Sequence, residues 1–148
     1  MKKAHLFFLL FINLNLVVAQ NEIVNKPVNQ TNGIGLEGFD AVSYFKGHPL
    51  KGNEQIKAEY NGVIYFFNSM ENKNKFIENP VAYLPAYGGW CAYAMGDNGE
   101  LVSINPETFK IIDGKLYLFY NAFFNNTLKK WNKDETTLLK NADLNWKK

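Results

Sequence analysis

Alternation of apolar and polar residues predicts two β-hairpins in this chain of 148 residues. Each hairpin is centred on a dipeptide that accepts the positive φ angles of a tight two-residue turn at low cost, Asn61-Gly62 in the first and Asp113-Gly114 in the second. The flanking segments are rich in β-branched and aromatic residues, as strands usually are. We therefore predict strands over residues 55–60 and 63–67, and over residues 109–112 and 115–120.

Helical spacing of apolar residues predicts the remaining elements. Ser69 is placed to cap a helix over residues 70–78, and Asn79-Pro80 ends it. Asp40 is placed to cap a short helix, and the predicted helices are residues 41–45, 90–95, 122–133 and 135–146. The fold class that follows is α+β: a small antiparallel sheet built from two hairpins, covered by short helices, with two C-terminal amphipathic helices.

The amino-terminal residues have the pattern of a signal peptide. Lys2 and Lys3 precede an apolar run over residues 6–18, and small residues lead to a predicted cleavage after Ala19. We therefore expect an exported protein, periplasmic or secreted. Residues 20–35 are polar and without periodicity, which predicts a flexible leader, and residues 36–148 then form a single domain.

Charge and hydropathy argue against two classes of partner. The formal net charge of +2 includes Lys2 and Lys3, so removal of the signal peptide leaves no basic excess to bind phosphate backbones. Nucleic acid is therefore not an expected partner. A membrane-spanning helix needs about 20 apolar residues, and the longest apolar run is shorter than that. We expect no stable membrane anchor.

Cys91 is the only cysteine in the chain, and it lies at the centre of the candidate chemistry. A single cysteine in an exported protein forms no internal disulfide, which leaves a free thiol, a metal ligand or an intermolecular bridge. If a helix begins near Trp90, its unpaired N–H groups and positive dipole end would stabilise a thiolate at Cys91. Gly88 and Gly89 would let a backbone or a ligand approach closely.

Further soft donors are available to a metal ion bound at Cys91. Met95 is one helical turn away on the same face, and a thiolate with a thioether suits a soft transition metal such as copper. Met70 and His48 are the other candidate ligands in the chain, beside an exogenous thiol. The predicted pocket wall around the sulfur comprises Tyr87, Gly88, Gly89, Trp90 and Tyr93. Each of these residues also has a structural interpretation, with Met95 as a core residue and His48 as a solvated turn residue.

Two long segments of the chain carry a family resemblance, GFDAVSYFKGHPLKG and AEYNGVIYFFNSMENKNKFIENPVAYLPAYGGWCAYAM. With further agreement near the C terminus, they resemble the exported YHS domain proteins. Some members carry selenocysteine at the cysteine position, so the resemblance implies that Cys91 is the residue used for chemistry. Other YHS domains are similar to heavy-metal modules and occur beside copper-transporting ATPases, which implies handling of a soft metal.

Three functions remain open from the sequence. The first is binding or delivery of a soft, copper-like metal through Cys91, with a metal-transport or thiol-bearing protein as partner. The second is a thiol-redox enzyme or sensor in which Cys91 is catalytic and an external thiol resolves the oxidised form. The third is a non-catalytic module that binds a ligand or a protein, with Cys91 as a structural residue and no cofactor.

Overall fold

The computed structural model describes residues 26–148, so the predicted signal peptide lies outside the described residues. In chain order the strands and α-helices are β1 (Gln30–Thr31), β2 (Ile34–Gly35), β3 (Asn53–Tyr60), β4 (Val63–Phe67), α1 (Met70–Glu78), α2 (Ala92–Asp97), β5 (Asn105–Ile112), β6 (Lys115–Phe119), β7 (Asn121–Ala122), β8 (Asn125–Asn126), α3 (Thr127–Trp131) and α4 (Glu135–Trp146). Short 3-10 turns connect several of them. None of the helices between Lys26 and Lys148 is long and apolar enough to cross a membrane.

Both predicted hairpins are present, and the α+β class is confirmed. Asn61-Gly62 and Asp113-Gly114 occupy the turns with positive φ at every position, as predicted from the dipeptides. The two hairpins lie in separate sheets. The first belongs to a four-stranded sheet of order β1-β2-β4-β3, in which only the β2–β4 pair is parallel, and the second is a two-stranded sheet of β5 and β6.

Part of the segment that the sequence predicts as a flexible leader forms strands. Residues 30–35, assigned to the flexible leader, form the antiparallel pair β1–β2, and β2 then extends the sheet beside β4. The turn between them is Asn32-Gly33, with φ angles of 53° and 82°. This is the same turn dipeptide as in the first predicted hairpin, but its flanking strands have only two residues each, too short for an alternating pattern to be visible.

Three of the predicted helices need little or no correction. Helix α1 begins after Ser69, whose side chain accepts a hydrogen bond from the Asn72 N–H, and it ends at Glu78 as predicted. Helix α4 has the predicted bounds. Helix α2 begins two residues later than predicted and continues through Gly96. A Cβ atom at Gly96 would lie 2.5 Å from the Leu138 carbonyl oxygen, so the glycine permits the close packing of α2 against α4.

The predicted helix over residues 122–133 is wrong in its first half. Residues 121–126 form a tight hairpin, β7–β8, and α3 begins only at Thr127. Asn126 sets this start because its side chain accepts a hydrogen bond from the Lys129 N–H. Phe124, which the helical pattern had placed on an apolar stripe, is fully exposed at the hairpin turn.

Strand β6 separates two hydrophobic cores. Leu116 and Leu118 point to one side, into a core shared with the first sheet and α1. Tyr117 and Phe119 point to the other side, into a core shared with α2, α3 and α4. All four side chains are buried, so β6 has no solvated face.

A buried carboxylate connects the N-terminal turn to the first sheet and to α1. The Asp40 side chain is fully buried. Its Oδ1 accepts hydrogen bonds from the N–H groups of Val42 (2.9 Å) and Ser43 (3.3 Å). Its Oδ2 accepts from the Asn68 N–H (2.8 Å) and from Nδ2 of Asn72 (2.6 Å). Asp40 therefore does more than cap the short helical turn that the sequence predicted, since two of its four donors come from residues about thirty positions later.

The variant Asp40→Asn is expected to lower the free energy of unfolding by about 3 kcal/mol. The amide has nearly the shape of the carboxylate, but its NH₂ group would face N–H donors and leave them without an acceptor. Denaturant unfolding followed by circular dichroism measures the change. Asp113→Asn, in an exposed turn that tolerates asparagine, is the matched control, and an equal loss in both variants would contradict the role of Asp40.

Candidate functional site

The segment before Cys91 has an unusual backbone conformation. Tyr87, Gly88 and Gly89 have φ angles of 54°, 62° and 84°, of which only the glycine values are free of steric strain. A Cβ atom at Gly88 would lie 2.6 Å from the Pro27 carbonyl oxygen. The close approach predicted for the glycine pair therefore exists, and the group that approaches is the chain's own N-terminal segment. Asn29 extends this contact by donating from its backbone N–H to the Gly88 carbonyl at 2.9 Å.

Cys91 lies in the core of the first sheet and α1, at the N-cap of α2. Its backbone N–H donates to the Val102 carbonyl at 2.9 Å, and its backbone pairs with Leu118 of β6 in a single parallel bridge. The side chain is 0% exposed. The sequence had placed Cys91 inside the first turn of the helix, whereas the structure places it one position before that turn, where the residue has a non-helical conformation.

The Cys91 sulfur contacts the base of the β7–β8 hairpin. The Tyr120 N–H donates to Sγ at 3.3 Å, and the Thr127 hydroxyl lies 3.5 Å from Sγ. Thr127 closes the hairpin base, because its hydroxyl (2.8 Å) and its N–H (3.0 Å) both donate to the Tyr120 carbonyl. The sulfur is therefore in hydrogen-bond contact with both residues at the base of the hairpin, and these contacts join the hairpin to Cys91.

An open cleft of about 300 Å³ lies over this contact. Cys91 and Thr127 are at its floor, and its other side chains are those of Tyr93, Ala94, Asp97, Asn98, Glu100, Val102, Tyr120, Asn125 and Lys130. Burial and the nearby carboxylate of Asp97 raise the pKa of Tyr93. The Cys91 side chain is nevertheless 0% exposed, so a ligand in the cleft contacts Sγ only after the residues that cover it have moved. Local opening of this kind is common in short surface elements.

The other predicted metal ligands lie elsewhere. Met95 is 2% exposed and packs in the core of α2, α3 and α4, whereas Cys91 belongs to the core on the opposite side of β6. Met70 is half-exposed at the start of α1, and His48 is exposed in the loop before β3. None of these three side chains lines the Cys91 cleft. The structure therefore does not bring them together around the sulfur.

Of the five predicted wall residues, only Tyr93 lines the cleft above Cys91. Trp90 turns away and donates its indole N–H to the Pro27 carbonyl at 3.0 Å. Tyr87 and Gly88 line a separate groove of about 640 Å³, together with Asp143 and Trp146. The Tyr87 hydroxyl donates to Asp143 at 2.9 Å. Burial and, to a smaller extent, this hydrogen bond raise the pKa of Tyr87.

Sequence reasoning missed the two residues that contact the sulfur. Tyr120 and Thr127 are 29 and 36 positions from Cys91, and neither lies in a recognisable motif with it. The predicted helix over residues 122–133 also concealed the hairpin that they close. No local pattern in the chain would have revealed this contact.

The donor set fits a soft metal only in part. Across residues 26–148, no group of three or more His, Cys, Asp or Glu side chains is placed to hold a metal ion. One sulfur is a donor that soft metals prefer, but the other side chains of the cleft offer oxygen and nitrogen atoms. A complete soft-metal site at Cys91 would therefore need a ligand from outside the chain.

Alkylation of Cys91 in the native protein is expected to be slow, and Thr127→Ala is expected to accelerate it about fivefold. The alanine removes one hydrogen bond from the hairpin base, worth about 1 kcal/mol, and uncovers one side of the sulfur. The rate is measured with excess iodoacetamide under native conditions. Thr136→Ala, at an exposed position of α4, is the control. Equal rates in wild type and Thr127→Ala would show that the hairpin base does not limit access.

Comparison with known proteins gives one match. The family model of the YHS domain matches residues 41–87, which include β3, β4 and α1. No curated protein and no solved structure shows significant similarity to the chain.

The YHS match begins directly after Asp40 and ends four residues before Cys91, so the candidate thiol lies just outside it. The YHS domain is a family associated with metal binding, and a metal-related role is consistent with the match. The match covers about a third of the chain, so the similarity to a YHS domain is limited to residues 41–87.

Proposed function

We propose that this protein is exported and binds or delivers a soft, copper-like metal ion through the Cys91 thiol, with a second ligand supplied by a partner. The observation that carries the proposal is the position of Cys91, a lone sulfur beneath an open cleft with a backbone N–H directed at it. The metal-associated family match over residues 41–87 supports the same role.

The composition of the cleft favours delivery over storage. Cys91 is the only sulfur among the residues that line it, and the nearest side-chain polar atom is the Thr127 hydroxyl oxygen, a hard donor. A storage site normally surrounds its metal with several ligands from one chain. A single thiolate instead leaves coordination positions free for an external thiol or for a metal-transport protein, which is the arrangement that ligand exchange between two proteins requires.

The hairpin contact supplies a means of control. With the hairpin closed, the Tyr120 N–H satisfies the sulfur and the Thr127 side chain covers it. When the base opens, the sulfur loses both contacts and becomes available to a ligand in the cleft. The role of Cys91 in this proposal is thus to supply one soft donor, and the role of Thr127 and Tyr120 is to govern access to it.

Titration with Cu(I) in competition with a chelator tests the proposal. Cys91→Ser is expected to weaken binding by more than about tenfold, because loss of even an outer-shell partner of a metal ligand typically costs about 10–100-fold. Adding glutathione as the external thiol is expected to strengthen binding by wild type but not by the variant. Met95→Leu, which keeps the volume of a buried side chain that lies outside the cleft, is expected to bind as wild type does.

Equal and low affinity in wild type and in Cys91→Ser, with and without glutathione, would refute the metal proposal. Equal loss in Met95→Leu would instead show that the thioether is a ligand, as the sequence suggested, and that α2 rearranges on binding. Thermal unfolding of all three proteins without metal separates these outcomes from simple destabilisation.

A second function, thiol-redox chemistry, is favoured by the position of the single free thiol beside an open cleft. In it the Cys91 thiolate attacks one oxygen of hydrogen peroxide, an S–O bond forms as the O–O bond breaks, and the other oxygen leaves as hydroxide and is protonated to water, so that the sulfur is oxidised and the peroxide is reduced. An external thiol then attacks the sulfenic acid to give a mixed disulfide and water, and a second one releases Cys91. Peroxide-dependent trapping of the sulfenic acid with dimedone at Cys91 supports this function. Absence of the adduct in the Thr127→Ala variant, where access is greatest, excludes it.

A further inference from the structure

The turn of the β7–β8 hairpin is formed by two phenylalanines in a conformation that this residue type rarely adopts. Phe123 and Phe124 have φ angles of 50° and 62°. Two consecutive positive φ angles in a two-residue hairpin turn normally select Asn-Gly, and the other three such hairpin turns in residues 26–148 are Asn-Gly or Asp-Gly. Aromatic side chains at both positions are therefore a local conflict between residue type and backbone, of the sort that marks functional sites.

The two rings are also the most exposed large apolar side chains of the described chain. Phe123 is 91% exposed and Phe124 is 112% exposed, whereas the other exposed large apolar residues range from 38% to 70%. Adjacent aromatic rings that make so little contact with the protein contribute nothing to its core. The hairpin thus holds an apolar tip in solvent at a cost in backbone strain, and such tips serve to contact another surface.

The residues around the tip indicate which kind of surface. From Tyr120 to Lys133 the chain has no acidic residue and three lysines, Lys129, Lys130 and Lys133. The tip itself is flanked by uncharged residues, Ala122 and asparagines. Acidic residues follow directly after Lys133, at Asp134 and at Glu135, which pairs with Lys110, and Asp97 and Glu100 line the Cys91 cleft with Lys130. An apolar tip with a cationic segment behind it suits an anionic lipid surface, because the rings enter the boundary between headgroups and acyl chains while the lysines meet the headgroups.

We propose that the β7–β8 tip binds anionic membrane surfaces reversibly, through Phe123 and Phe124 assisted by Lys129, Lys130 and Lys133. This contact is peripheral and differs from the stable anchor that the hydropathy of the sequence argued against. It is independent of the metal or redox chemistry proposed for Cys91. The two are adjacent, since the base of the same hairpin contacts the Cys91 sulfur.

Vesicle flotation tests this proposal. The full chain and the chain from Gln20 onward are mixed with vesicles of phosphatidylcholine alone, or of phosphatidylcholine with phosphatidylglycerol, and the shorter chain removes any contribution of the apolar run at residues 6–18. Wild type from Gln20 is expected to float with the anionic vesicles and only weakly with the neutral ones. Raising the salt concentration is expected to reduce the anionic preference.

The decisive variant is Phe123→Asn/Phe124→Gly. It is expected to reduce binding to anionic vesicles at least about fivefold, because the buried apolar area is lost. Its Tm is expected to rise by about 3 °C, because asparagine and glycine relieve the strain of the turn. Loss of binding together with a higher Tm cannot arise from unfolding. Lys129→Gln/Lys130→Gln/Lys133→Gln is expected to bind anionic and neutral vesicles alike.

Ile77→Gln/Val81→Gln, which removes exposed apolar side chains far along the chain from the tip, is the matched control and is expected to bind as wild type does. Wild type that floats no better than Phe123→Asn/Phe124→Gly overturns the proposal, and the tip would then serve a protein partner. Equal binding of wild type to neutral and anionic vesicles also overturns it, because the lysines would have no part.

Discussion

Strand β6 is buried on both faces, and the rest of the fold is arranged around this constraint. Its leucines complete one core with the first sheet, and its Tyr117 and Phe119 complete another with the three helices that follow the glycine pair. A strand with no solvated face needs covering elements on both sides. Cys91 packs in the first of these cores, and its backbone forms a bridge to Leu118 of β6. Its sulfur therefore lies close to Tyr120, which directly follows β6.

Two segments with a strained backbone lie beside the candidate site, and a third, at Leu36 and Glu37, lies nearer the start of the described residues. Tyr87 has a positive φ angle in the segment before Cys91, and Phe123 and Phe124 have positive φ angles in the hairpin that covers the sulfur. A non-glycine residue held in this region costs about 1–3 kcal/mol and persists only where the surroundings enforce it. The hydrogen bond of the Tyr87 side chain to Asp143 and its packing against Trp146 hold this residue in its strained conformation. At the phenylalanine pair only the hairpin itself enforces it.

The YHS match and the candidate thiol occupy neighbouring parts of one packed structure. The matched residues 41–87 contain the Asp40-linked turn, the first hairpin and α1, while Cys91 and its contacts belong to the segment after the match. Cys91 nevertheless packs in the same core as Phe67 and Phe76 from the matched region. The matched segment thus forms one wall of the core against which the cysteine is held, and the β7–β8 hairpin covers the other side of the sulfur.

The sequence by itself determined those elements whose causes are local. The turn dipeptides at Asn61 and Asp113, the Ser69 cap and the period of α4 each depend on neighbouring residues, and each was predicted. Helices α1 and α4 have the predicted bounds, whereas β3 begins two residues and β5 four residues before the predicted strands. The sequence also identified Cys91 as the residue to examine. Only the tertiary structure decided which groups surround that sulfur. Met95 follows Cys91 at helical spacing but packs in the other core. Tyr120 and Thr127 contact the sulfur from the base of the β7–β8 hairpin, a hairpin that the sequence did not predict because its apolar residues have helical spacing. Contacts between distant segments depend on how the two cores pack on β6, and that packing leaves no periodic pattern in the chain.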